Sequence, residues 1–97
     1  MAAIQIVKFR LAAGNDLAAF RALNERFQRE IAPILPGLQR REASVSPDGE
    51  WVLVLRYADV EHAKKAGQSD TSETAQSFMK MIDMSSMSAS FTKIVSE

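Results

Sequence analysis

Asn24 stands four residues after Phe20 and three before Phe27, inside an apolar helical stripe. A buried amide is costly there unless something hydrogen-bonds it. Its side chain can polarise a bound ligand or satisfy a neighbouring backbone group, and the residues around it leave both open. Trp51 and Tyr57 pose the same choice. Each has a large apolar body and a polar tip, which suits a ligand site or a core position with the tip finding water. Other chemistry-bearing residues are scarce. The chain has no cysteine and a single histidine, His62, so a thiol nucleophile and a thiolate metal site are excluded. Serines are plentiful but lack a nucleophile elbow and the partners of a triad. No histidine pair or spaced carboxylates suggest a metal site, and the glycines are too scattered to cradle phosphate. A lone helical histidine such as His62 reads as a surface residue rather than a ligand.

The elements that must position these residues follow from the patterning. Ser46-Pro47-Asp48-Gly49-Glu50 is flanked by two runs that alternate every second residue. Pro47 presets φ for a type I turn and Gly49 supplies the left-handed residue that closes it as a bulge. A first strand covers Ala3 to Leu11, with Gln5, Val7, Phe9 and Leu11 on one face and Ile4, Ile6, Lys8 and Arg10 on the other. Asn15 or Asp16 caps a helix whose stripe runs Leu17, Phe20, Leu23, Phe27, Ile31 and Ile34. Glu25 and Arg29 support it on the opposite face, and Pro33 and Pro36-Gly37 stop it. A second strand spans Leu38 to Val45.

The turn sets the register of the hairpin. Val45 faces Trp51, Ala43 faces Leu53, Arg41 faces Leu55 and Gln39 faces Tyr57; the other face joins Ser44 to Val52, Glu42 to Val54 and Arg40 to Arg56. Trp51, Leu53, Leu55 and Tyr57 therefore share the surface that meets the helices. Asp59 caps a short helix through Lys65, ended by Gly67. A second begins near Asp70, with Glu73 in a capping-box position and Ala75, Phe78, Met79 and Ile82 as its buried stripe. A closing strand covers Ser86 to Val95. The order strand, helix, strand, strand, helix, strand is a ferredoxin-like βαββαβ sandwich of the α+β class, one domain over residues 1–97.

Ninety-seven residues can bury a core without metal or disulfide. Twelve basic and twelve acidic side chains cancel, so no global field favours nucleic acid or an anionic membrane. Basic residues are not interleaved with exposed aromatics, a further argument against nucleic acid. No stretch approaches the roughly 20 apolar residues of a membrane span. Met1 to Arg10 carries Lys8 and Arg10 within a short alternating run, unlike a signal peptide, and the default compartment is the cytoplasm. The sheet face away from the helices holds Ile4, Ile6, Val52 and Val54 among Lys8, Arg10, Arg40, Glu42 and Arg56. It is too apolar for an ordinary wet face and too charged for a core. Two sheets packed face to face across a two-fold axis bury the aliphatics and pair Glu42 with Arg56 or Arg40. A homodimer through Ile6, Arg40, Glu42, Val52, Val54 and Arg56 is expected.

The succession Lys8-Phe9-Arg10-Leu11, Asn24-Glu25-Arg26-Phe27, Pro36-Gly37, Asp48-Gly49-Glu50-Trp51 and Arg56-Tyr57-Ala58-Asp59 leading to Ala63, with Phe78-Met79 and Ile82-Asp83 late in the chain, resembles the antibiotic biosynthesis monooxygenase-like proteins. The resemblance covers nearly the whole chain and rests mostly on turn and packing motifs. It implies a dimeric α/β barrel. Such proteins include cofactor-independent oxygenases of polyketide-type phenols and haem-degrading enzymes. The haem-degrading members use an asparagine in the first strand, a tryptophan closing the third and a helical histidine on iron. Here those places hold Gln5, Tyr57 and a His62 that comes too early, so haem degradation is disfavoured. The oxygenases hold substrate between sheet and helices, in a dry pocket with a polar group for a phenolate. The resemblance implies Asn24, Trp51 and Tyr57 as polar contacts, Phe9, Phe27, Phe78 and Met79 as walls, and no cofactor. Two functions stand side by side: a cofactor-independent monooxygenase acting on a small aromatic substrate, and a non-catalytic ligand-binding or structural homodimer.

Overall fold

The computed structural model describes residues 1–69 and 73–96, with side chains described outside 67–69. Strands and helices follow in the order β1 (Ala3–Leu11), α1 (Leu17–Glu30), β2 (Leu38–Val45), β3 (Trp51–Tyr57), α2 (Val60–Ser69), α3 (Glu73–Lys80) and β4 (Ile82–Lys93). The strands form one antiparallel sheet in the order β2-β3-β1-β4, the ferredoxin-like arrangement. Among the described residues no helix is long and apolar enough to cross a membrane.

The central turn has the geometry that its residues dictate. Gly49 takes φ 93°, its N–H donates to the Ser46 carbonyl at 3.0 Å, and the Ser46 N–H donates to the Glu50 carbonyl at 2.8 Å. Arg10 clamps the tip from β1, through Nη1 to the Asp48 carbonyl at 2.8 Å and Nη2 to Asp48 Oδ2 at 2.9 Å. From there the hairpin pairs Val45 with Trp51, Ala43 with Leu53, Arg41 with Leu55, Glu42 with Val54 and Arg40 with Arg56. The expected register fails at one place. A bulge between Leu38 and Arg40 puts Leu38, not Gln39, opposite Tyr57. The extra residue is Gln39, exposed, whose Oε1 accepts from Arg56 Nε at 3.0 Å. The bulge delivers an apolar side chain to the core face where an unbroken ladder would place an amide.

Asp16 is the cap of α1, its Oδ1 accepting from Ala18 N at 2.9 Å. The apolar stripe is shorter than its spacing suggests: Leu17 is 45% and Ile34 73% exposed. Pro33 bends the chain after Ile31 into a single 3-10 turn, Ala32–Ile34, which takes Ile34 off the helical face. The ion pair that supports α1 is Arg26 with Glu30, at 3.1 Å, rather than the expected Glu25 with Arg29, which form none among the described residues. Gly67 does not end α2, which continues to Ser69. The expected start near Asp70 lies outside the described residues. Ala75 and Phe78 of α3 are buried, whereas Met79 is 42% exposed. Ile82 is buried as the first residue of β4 rather than as the last of a helix. β4 opens earlier than Ser86 because its first residues pair beyond an irregularity, Arg10 opposite Asp83, with Ser86 Oγ accepting the Arg10 N–H at 2.8 Å. It closes at Lys93, short of the exposed Val95.

The core lies between the helices and one sheet face, built on Phe9, Phe20, Trp51 and Phe78. Phe20 meets Trp51 edge-on at 4.8 Å and Phe78 at 4.8 Å, while Phe9 stacks parallel to Trp51 at 6.3 Å. Phe9 and Phe20 are the largest fully buried side chains. Edge-to-face contacts of this kind add about 0.5–1.5 kcal/mol each to their area burial.

Candidate functional site

A cavity of about 290 Å³ opens between the sheet and the helices. Alternation brings Val7 and Phe9 of β1, Leu53, Leu55 and Tyr57 of β3, and Met87 and Ala89 of β4 to its floor. Phe27 of α1, Ala66 of α2 and Ala75, Phe78 and Met79 of α3 form its roof. The polar side chains on its wall, among the described residues, are Gln5, Arg41 and Tyr57. Phe9, Phe27, Tyr57, Phe78 and Met79 thus meet around one space. The exposure of Met79 is that of a residue at the cavity mouth.

Arg41 is the residue that sequence reasoning missed. It is 6% exposed, on the core face of β2 opposite Leu55. Its Nη2 donates to Asn24 Oδ1 at 2.7 Å and its Nη1 to Gln28 Oε1 at 2.9 Å. The guanidinium carbon lies 4.8 Å from the Phe27 ring centroid and 5.8 Å from that of Phe78, a cation–π contact on two rings. Its Nε–H is buried without a partner among the described residues. Loss of water lowers the guanidinium from 12.5 to about 10, against the pull of Tyr57, which favours the charge. Arg41 therefore stays cationic at neutral pH. Tyr57 lies one position along the face from Leu55, and burial raises its phenol above the usual 10.0, with the Arg41 charge opposing. Its hydroxyl remains a hydrogen-bond donor.

Asn24 and Trp51 stand behind the cavity rather than on its wall. The Asn24 amide is half-buried and committed to Arg41, so it acts on a ligand only through that cation. The partner of its oxygen is a side chain from the strand opposite rather than a backbone group. Trp51 is 3% exposed beneath Phe20 and Phe9, with its Nε1–H buried and unpartnered among the described residues. His62 has a structural task. Its Nδ1 lies 2.8 Å from Asp59 Oδ1, which also accepts the His62 N–H at 2.8 Å. Its ring lies against Gly37 so closely that a Cβ there would stand 2.5 Å from His62 Cγ. No group of histidine, aspartate and glutamate side chains that could hold a metal ion occurs among the described residues.

The far side of the sheet carries Ile6 beside Val54, Lys8 beside Val52 and Ile4 beside Arg56. Ile4, Ile6, Val52, Val54 and Arg56 are half-buried there, and Arg40 and Glu42 exposed. Arg40 Nη2 pairs with Glu42 Oε2 at 3.2 Å within β2.

No protein-family model matches the chain, and no curated protein matches it. Solved structures do. SnoaB from Streptomyces nogalater, a cofactor-independent oxygenase, superposes with a TM-score of 0.77 at 12% identity, over 99% of this chain and 95% of that one. A provisional antibiotic biosynthesis monooxygenase from Caulobacter crescentus gives 0.78 at 12% identity, over 98% and 91% of the two chains. Rv0793 from Mycobacterium tuberculosis gives 0.71 at 17%, over 100% and 98%. At these identities the likeness is one of fold alone.

Proposed function

We propose that the protein is a cofactor-independent monooxygenase whose small aromatic, phenolic or polyketide-like substrate lies in the cavity between sheet and helices. The observation that carries this reading is the cavity itself: apolar and aromatic on nearly every side, with three polar side chains to orient what enters. Pockets of this make-up hold flat apolar molecules and fix them by a few placed polar groups. Without a cofactor, the electrons that reduce dioxygen come from the substrate. A ring methylene becomes a carbonyl, one oxygen atom entering the product and the other leaving as water. An ionised hydroxyl conjugated with that methylene raises its electron density. Tyr57 orients the ring through its protonated hydroxyl. The aromatic walls exclude water, so an electron-rich intermediate is not quenched by stray protons. The oxygenase fold of SnoaB, shared at 12% identity, supports the reading.

The uncovered sheet face, with its half-buried Ile6, Val52 and Val54, fits a second copy of the chain, and a homodimer in the cytoplasm is the form proposed. The experiment is a thermal-shift screen of aromatic ligands, since native-state binding raises Tm by mass action, followed by oxygen uptake in air with those that bind. Binding with oxygen consumption supports the oxygenase. Binding without it leaves the ligand-binding dimer, a reading favoured by the lack of any carboxylate or histidine among the described residues on the cavity wall.

A further inference from the structure

We propose that the cavity selects a ligand bearing one negatively charged oxygen on a flat apolar body, and that Arg41 is the residue that selects it. The inference rests on the reading of the cavity as the ligand site and names what enters it. A guanidinium offers five N–H donors and a full charge. Here two donors go to neutral amide oxygens, those of Asn24 and Gln28, and the buried Nε–H goes to none. Among the described residues no carboxylate forms an ion pair with it. A charge held at 6% exposure without a counter-charge is expensive. Two amides and two aromatic rings fix its position, but none of them neutralises it.

A structural tie between α1 and β2 would not need a cation; a neutral hydrogen-bonding or apolar residue would serve at lower cost. A cation on the wall of an apolar cavity is matched when its counter-ion arrives with the ligand. The remaining polar groups agree. Gln5 is an amide, Tyr57 holds its proton, and no side chain described on the wall accepts one at neutral pH. A phenol entering therefore binds as its phenolate, the proton passing to solvent, and a carboxylic acid enters already ionised. In either case the charged oxygen is held at Arg41 and the rings lie against Phe27 and Phe78, which already flank the guanidinium.

The test compares anions with neutral molecules of the same shape: 4-nitrophenolate with 4-nitroaniline, and 4-nitrobenzoate with 4-nitrobenzamide, by equilibrium dialysis above the pKa of each acid. At least one anion is expected to bind about tenfold tighter than its neutral counterpart, and the pair that shows it tells a phenolate site from a carboxylate site. In Arg41→Met the preference should fall to about twofold or less through loss of anion affinity. Should that variant not fold, the absorbance titration of 4-nitrophenol bound to the unaltered protein takes its place, with an apparent pKa about one unit below that of the free probe. Equal binding of anions and neutral molecules overturns the proposal while leaving the cavity as a ligand site. A preference that survives in Arg41→Met overturns the role of Arg41. No binding of any of the four overturns the cavity reading, and this inference with it.

Discussion

Replacing Asn24 by leucine separates the two tasks an amide in an apolar stripe can have. Its Oδ1 accepts from Arg41 Nη2 at 2.7 Å, a hydrogen bond to a charged donor of about 1.5–3 kcal/mol. The position is only half-buried, so the leucine regains no more than about 1 kcal/mol from apolar burial. The net effect is a loss of about 1–2 kcal/mol. In a domain of this size each kcal/mol moves Tm by about 4–8 °C, so Asn24→Leu should melt about 5–15 °C below the parent protein. The same substitution in an Arg41→Met background has no guanidinium to strand. There it should be neutral or slightly stabilising, giving a coupling energy of about 1.5 kcal/mol or more in the double-mutant cycle. Calorimetry of the four proteins decides it. An Asn24→Leu protein as stable as the parent, or an equal penalty in both backgrounds, refutes the argument that Asn24 exists to hold Arg41.

Gly37 has φ 77° with the His62 ring where its Cβ would be, whereas Gly14 has φ 85° with nothing within 4 Å. Gly14→Ala should cost only the left-handed penalty of about 1–2 kcal/mol, and Gly37→Ala about 1–3 kcal/mol more by overpacking, measured by urea denaturation. Equal costs would mean that α2 yields freely at His62. The Asp48 carboxyl is lowered from 3.8 to about 2 by the Ser46 hydroxyl first, then by Arg10 and the Glu50 N–H. Its folded-state pKa is depressed, so its contribution is complete above about pH 4 and is lost as pH falls through about 2. Asp48→Asn should flatten that part of the Tm–pH curve, and an unchanged acid limb would reject the assignment. Val54→Asp places a carboxylate in the proposed sheet-to-sheet interface, at a cost of several kcal/mol if desolvated. Sedimentation should show a dimer for the parent chain and a monomer for the variant; a monomeric parent at micromolar concentration would end the dimer reading.

The faces of the strands were legible because alternation and one turn fix them together. Pro47 and Gly49 specify the turn, the turn specifies the register, and the register places Trp51, Leu53, Leu55 and Tyr57 toward the helices. The bulge at Gln39 was hidden because its advantage is tertiary: it seats Leu38 on the core face. Gly67 looked like a stop, since glycine weakens helices, yet packing of Ala63 and Ala66 carries α2 past it. Met79 keeps helical spacing but sits at the edge of the roof, where periodicity alone gives no depth. The same register put Arg41 on the helix face, a place where an arginine is unexpected. The companion signal was present too: Asn24 and Gln28 lie four apart on α1 and offer two amide oxygens on one helical face. What sequence spacing does not supply is which strand residue those amides meet.

The aromatic cluster also makes the molecule its own optical instrument. The chain has a single tryptophan, and Trp51 is 3% exposed, stacked on Phe9 and edge-on to Phe20. Its emission should lie to the blue in the folded state and shift red on unfolding, so one signal follows the whole core. Phe9, which stacks on that indole, also lines the cavity. A nitroaromatic seated there would accept energy from Trp51, and quenching would report occupancy without a label or an engineered residue.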